Sequence, residues 1–267
     1  MTLVCFTSPK GGVGKTTLAA NVANELSRAG VRVVALDLDP QNALRLHFGL
    51  PLQDEDGFTH FLPRHPEWRR CLHETASGVA VLPYGASKAS EAVSLAAAVA
   101  EAPALLQQPV QEMLADPELC VVLDTSPGAS SLLATLLPRI DLLINVLLVD
   151  AASAALIPAL KAAACNDEAA AEHLSPATGF VLNQFDPRTR LGGAIADAAA
   201  RNLGSSLLGV VYRDEFVTEA IASQMLVSEY APASRAATDI ARISQAILSR
   251  LQAFGPGQVA TRDRISA

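Results

Sequence analysis

At 267 residues, half of them apolar and only 4% aromatic, the chain is long enough to bury a large core built chiefly from Ala, Leu and Val. That length suits one large α/β domain. The net charge is −7, with 20 basic residues against 27 acidic ones and no basic run, which argues against DNA binding, since tight non-specific binding depends on clustered Lys and Arg. The first element is a short apolar strand, Leu3 to Phe6. Ser8-Pro9-Lys10-Gly11-Gly12-Val13-Gly14-Lys15-Thr16-Thr17 follows, and then Leu18 to Leu26 with helical spacing. Strand, glycine-rich turn and helix is the context of a phosphate-binding loop. Its glycines let successive N–H groups turn toward phosphate oxygens, and the helix presents its positive end to the same anion. Lys15 is placed to reach the β- and γ-phosphates, and the Thr16 hydroxyl to ligate Mg²⁺. From average residue frequencies such a string arises at roughly 10⁻⁷ per start position, so a chance turn is set aside.

Arg28-Ala29-Gly30 closes the helix, and Val31 to Asp37 reads as a buried strand running into Asp37-Leu38-Asp39-Pro40-Gln41-Asn42. Two carboxylates at a strand end lie on the same edge as the phosphate loop, although Asp-Pro and Asn are also ordinary turn punctuation. Ala43 to Gly49 is expected as a short amphipathic helix, and Val79 to Gly85 as a strand and turn. Phe58, Phe61 and Trp68 suit core or dimer-interface packing. His47, His60, His65 and His73 lack metal-ligand spacing.

Ser87 to Ala115 is Ala-rich with helical periodicity, expected as two helices with breaks at Pro103 and Pro109. Leu119 to Asp124 is the next buried strand. An apolar run ending in an acid matches the second nucleotide motif, whose carboxylate holds Mg²⁺; Asp124 equally suits a cap for a helix beginning near Ala129. Residues 141–149 and 177–182 read as strands, separated by an Ala-rich helix (151–164) and an acidic stretch with Asp167, Glu168 and Glu172. Asn183, at a strand's carboxyl end, can pair its amide with an adenine edge or stabilise a turn. Leu207 to Tyr212 is the last strand and leads to Arg213-Asp214-Glu215, where Asp214 also suits a helix N-cap. Residues 235–254 form a closing amphipathic helix with Ile240, Ile243, Ile247, Leu248, Leu251 and Phe254 on one face. The division expected is a phosphate-loop domain over 1–252 and a flexible tail over 253–267, with no repeats and no second domain. The tail is too polar and broken to insert directly into a membrane.

The most apolar region, Leu132 to Leu160, is interrupted by Pro138, Arg139, Asp141 and Asp150. Its longest clean run, Leu142 to Val149, suits a buried parallel strand rather than a bilayer span. A strand at the very start leaves no room for a signal peptide. Cys5, Cys71, Cys120 and Cys165 form no CxxC pair and read as reduced thiols, so a cytoplasmic location is expected.

The two-lysine loop, with Pro9 where the usual pattern has glycine, resembles the deviant phosphate loop of the ParA/MinD class of P-loop ATPases. The resemblance covers residues 1 to about 252. It implies a single doubly wound, mostly parallel sheet of seven or eight strands flanked by helices, and a slow Mg²⁺-dependent ATPase whose ATP sits between the subunits of a homodimer. It implies that Lys10 reaches the partner subunit's nucleotide while Lys15 serves its own. Asp37 to Gln41 resembles the class's first switch, with Asp39 orienting or deprotonating the attacking water and Asp37 supporting the Mg²⁺ shell. Asp124 to Pro127 resembles its second switch. Asn183, Arg213 and Asp214 fall where the class wraps adenine.

Leu44-Arg45-Leu46-His47-Phe48, Trp68-Arg69, Leu82-Pro83-Tyr84-Gly85, Val211 to Glu215 and Ser228 to Pro232 resemble one branch of that class. That branch is the cellulose-biosynthesis protein Q (BcsQ) family, and it implies cytosolic action on components of the inner-membrane cellulose synthase complex. The alternatives are a partition or positioning ATPase acting on DNA or membrane, and a scaffold that clamps ATP without hydrolysing it.

Overall fold

Apolar runs without alternation form strands buried on both faces, and Thr2–Thr7 (β1) does so at the centre of the sheet. The structure, a computed structural model, describes residues 2–51, 53–62, 68–165 and 177–253. Its other strands are Arg32–Leu38 (β2), His73–Glu74 (β3), Ala80–Leu82 (β4), Leu119–Thr125 (β5), Leu142–Leu148 (β6), Ala177–Phe185 (β7) and Leu207–Tyr212 (β8). They lie in the order β3-β4-β2-β5-β1-β6-β7-β8. Every pairing is parallel except that of β3, which runs antiparallel to β4. The eighth strand, β3, has two residues, too short to carry a periodic signal.

Alternation along β1 divides the core. Val4 and Phe6 join a cluster with Leu18 and Leu26 of α1 (Lys15–Arg28), Val227 of α10 (Val227–Tyr230) and Ile240, Ile243 and Ile247 of α11 (Arg235–Ala253). Leu3 and Cys5 face the other side, against Phe58 of α2 (Phe58–Phe61), Val99 of α3 (Ala89–Glu101), Leu106, Val110 and Met113 of α4 (Ala104–Met113), and Leu132 and Leu136 of α5 (Ser131–Leu136). A third cluster joins Leu147, Phe180 and Leu182 to Ile157 of α7 (Ile157–Cys165) and to Ala199 and Leu203 of α8 (Arg190–Leu203). This is the doubly wound arrangement the alternating elements predict, and it gathers ligand-binding loops at the strands' carboxyl ends. No single described helix is long and apolar enough to cross a membrane.

Several local expectations are corrected. The helix expected over 43–49 is a 3-10 turn, Leu44–Phe48, stopped by Gly49 in the left-handed region (φ 66°). A short apolar run does not distinguish the two. The helix expected over 151–164 is two, α6 (Ala151–Ala154) and α7, because Pro158 fits only the first turn of a new helix. Pro103 precedes α4 as a break, but Pro109 lies inside that helix. The helix after β5 starts at Ser131 and is capped by the Ser130 hydroxyl, which accepts from Leu133 N–H at 3.1 Å, so Asp124 is not its cap. Phe58 and Trp68 are core residues. The side chains of Phe61 and Cys165, together with His65, the acidic stretch, Phe254 and the tail from 254 onward, lie outside the described residues.

Candidate functional site

The carboxyl ends of β1, β2, β7 and β8 and the start of α1 enclose a cleft of about 520 Å³. Lys10, Gly11, Gly12, Val13, Gly14, Lys15, Thr16 and Thr17 line it, with Asp39, Asn183, Arg213 and Asp214. The loop 8–14 can curl because Gly12 (φ 74°) and Gly14 (φ 84°) adopt left-handed conformations that cost glycine little. Gly14 is the N-cap of α1 and offers no side-chain acceptor, and no acid lies in the helix's first turn. The orphan N–H groups and positive end of α1 are therefore left for an anion. Ser8 fixes the loop's start: its hydroxyl donates to the Lys10 carbonyl at 2.8 Å, and its carbonyl accepts from Gly128 N–H at 2.7 Å.

Asp37 and Asp124 lie beneath the cleft, both completely buried. Asp124 Oδ1 accepts from Lys15 Nζ at 2.5 Å, while Oδ2 is buried with no partner among the described residues. Burial pushes the Asp124 carboxyl up and the Lys15 ammonium pulls it back. Burial, and then the Asp124 charge, push the Asp37 carboxyl well up. Asp37 Oδ1 accepts from Asp39 N–H at 2.9 Å and Oδ2 from Leu44 N–H at 3.1 Å. Each Asp37 oxygen thus accepts one backbone bond and keeps a second lone pair. Asp39 Oδ2 lies 3.9 Å from Lys15 Nζ, and its Oδ1 accepts from Gln41 N–H at 3.0 Å. Asn42 follows in the left-handed region (φ 49°), its amide buried without partners among the described residues.

Lys10 turns away from Lys15. Its Nζ lies 3.3 Å from Asp150 Oδ1 and 3.3 Å from the Ser153 hydroxyl. Asp150 is itself the N-cap of α6, and the Ser153 N–H, ahead of Lys10, holds its carboxyl below the usual range. Asn183 Nδ2 donates to the Val13 carbonyl at 2.7 Å. Arg213 is tied by its N–H to the Phe185 carbonyl at 2.9 Å, and its side chain is exposed. Asp214 caps α9 (Glu215–Ala222) by accepting from Phe216 N–H and binds α11 by accepting from Ala236 N–H. Gln184, Tyr212, Val217, Thr218, Ile221 and Ile240 also line the cleft and were not read from sequence as cleft residues. The four-residue spacing of Val217 and Ile221 on one helix face was the available signal.

Among the described residues no three His, Cys, Asp or Glu side chains cluster as a metal cage. The donors present suit Mg²⁺ nonetheless. Asp124 carries an orphaned oxygen with the Thr16 hydroxyl beside it, and Mg²⁺ typically takes one or two protein oxygens, with water and phosphate supplying the rest.

Sheet order, two-lysine loop and strand-end carboxylates together define a ParA/MinD-like P-loop ATPase. The fold is that of the septum site-determining protein MinD complexed with Mg-ADP from Pyrococcus horikoshii. The TM-score is 0.74 at 18% identity, over 94% of this chain and 98% of that one. The chromosome-partitioning ATPase Soj of Thermus thermophilus is 27% identical over 93% of this chain and 96% of its own length. The cellulose biosynthesis protein BcsQ of Salmonella typhimurium is 24% identical over 90% and 91%. The model of the family described as cellulose biosynthesis protein BcsQ matches residues 1–248, and the chain belongs to that family.

Proposed function

We propose that this protein is a slow, Mg²⁺-dependent switch ATPase of the cytoplasm. ATP binds between two subunits, and the ATP-bound homodimer assists assembly, localisation or secretion activity of the cellulose synthase complex. The observation that carries the chemistry is the cradle itself: left-handed glycines, an uncapped helix start, and Lys15 held against a carboxylate whose second oxygen has no partner among the described residues. Lys15 exchanges Asp124 for the β- and γ-phosphates. Thr16 and Asp124 would hold Mg²⁺, which would neutralise phosphate charge. Asp39, on the cleft wall, orients or deprotonates the attacking water. Lys10 leaves Asp150 to meet the partner's nucleotide, adding positive charge where negative charge develops. Asn183, Arg213 and Asp214 complete the nucleotide-binding set, with Val217, Ile221 and Ile240 as an apolar floor. Binding and hydrolysis thus shift the population between monomer and dimer surfaces. Family membership supports the cellulose role, and the absence of any basic run in the sequence supports a protein partner over DNA.

The test uses a trapped dimer. An Asp39→Ala variant, tagged and expressed in the native host, should accumulate with ATP and retain cellulose synthase components that a Lys15→Ala control does not. Recovery of chromosomal DNA or a centromere-binding protein instead would keep the ATPase and overturn the cellulose role. Wild-type hydrolysis by Asp39→Ala would remove that residue from the chemistry.

A further inference from the structure

At its carboxyl end β7 stops alternating. Its register with β8 shifts between Leu182 and Phe185, and Gln184 takes a left-handed φ of 58°. Regular alternation would send the carboxamides of Asn183 and Gln184 to opposite faces of the sheet. The irregularity re-aims them, as bulges beside functional sites do, and both reach the same loop. Asn183 Nδ2 donates to the Val13 carbonyl at 2.7 Å, and Gln184 Nε2 to the Gly12 carbonyl at 3.4 Å. These are consecutive peptides of the phosphate loop. A trans peptide carries its C=O and N–H on opposite sides, so fixing those two carbonyls also fixes the N–H groups of Gly14 and Val13. The fit is close: a Cβ on Gly14 would lie 2.4 Å from Asn183 Nδ2, so the amide can rest here only against glycine. A non-glycine residue held in the left-handed region is costly and persists where the surrounding structure demands it.

We propose that Asn183 and Gln184 are positioning residues, a paired carboxamide clamp that holds the loop's N–H groups ready for a triphosphate chain whatever base it carries. The inference rests on reading the cleft as the ATP site, and it assigns Asn183 to the loop rather than to adenine. Because the clamp acts through the backbone cradle, its loss weakens every triphosphate alike. A residue reading the base would change selectivity instead.

The experiment measures affinities of the full chain for Mg·ATP, Mg·GTP and inorganic tripolyphosphate by titration calorimetry. Asn183→Ala is expected to weaken all three by a common factor of about five to ten, as loss of one buried hydrogen bond implies, with the ATP-to-GTP ratio unchanged. Gln184→Gly keeps the backbone conformation without strain and removes the second donor. It is expected to weaken them together by about two- to threefold, and it carries the test if Asn183→Ala folds poorly. Loss confined to ATP with a changed ATP-to-GTP ratio overturns the proposal in favour of base recognition. Unchanged affinities in either variant overturn the paired clamp. A wild-type chain that binds none of the three probes defeats the ATP-site reading itself, a separate outcome.

Discussion

Asp37 and Asp124 stand opposite each other in register on β2 and β5, both completely buried, and hold different partners. Asp37 binds the backbone N–H groups of Asp39 and Leu44, and so shapes the loop that carries Asp39. Asp37→Asn replaces one acceptor with a donor facing an N–H group. The expected cost is about 2 kcal/mol, seen as a melting temperature lower by ~5 °C. An unchanged melting temperature would mean that these two bonds do not hold the loop.

Asp124 answers differently to the same change. Asp124→Asn leaves Lys15 the Asp39 carboxylate at 3.9 Å and removes the charge that adds to burial in pushing Asp37 up, so the fold should survive while the metal-dependent part of ATP affinity is lost. The expected readout is an ATP affinity that Mg²⁺ no longer improves, against about tenfold or more for the wild type. A variant that keeps its Mg²⁺ response would move the metal site elsewhere.

Lys10 and Asp150 form a pair in which both side chains are a third or more exposed, so it is worth less than about 1 kcal/mol. Asp150→Asn keeps an oxygen for the α6 cap and removes the charge that holds Lys10. Dimerisation with ATP should strengthen by no more than about fivefold by sedimentation velocity. Lys10→Ala should still bind ATP but hydrolyse it at least about tenfold more slowly. If Lys10→Ala hydrolyses ATP normally, the lysine has no part in the reaction.

How much of this was legible follows from where each signal lies along the chain. The phosphate loop is one contiguous string, and Asp37, Asp39 and Asp124 end apolar runs, so strand, edge and candidate role could be read together. The partners of those residues could not. Lys10 meets a residue 140 positions away and Asn183 one 170 away, contacts set by β1 lying beside β6 and β6 beside β7. Ile240 read correctly as core from helical spacing, yet it also floors the cleft, because α11 packs close to β8. The clamp at Asn183 and Gln184 depends on an irregularity in β7 that no residue pattern announces.

His47 offers a prediction about pH. It is 1% exposed, neither ring nitrogen has a partner among the described residues, and burial pulls it down to about 4. Between that value and 6.5 the unfolded chain takes up a proton that the folded chain refuses, so stability rises with pH across this window. The contribution is present above 6.5 and is lost as pH falls toward 4. It amounts to about 3 kcal/mol in all, with about 2 kcal/mol gone by pH 5. Asp37 and Asp124, held high by burial, act with the opposite sign, so the comparison must be made against a variant. His47→Leu removes the titrating ring and should lose several degrees less melting temperature than the wild type between pH 7.5 and pH 5. If the two curves fall in parallel, another group carries the acid sensitivity and His47 is silent in this window.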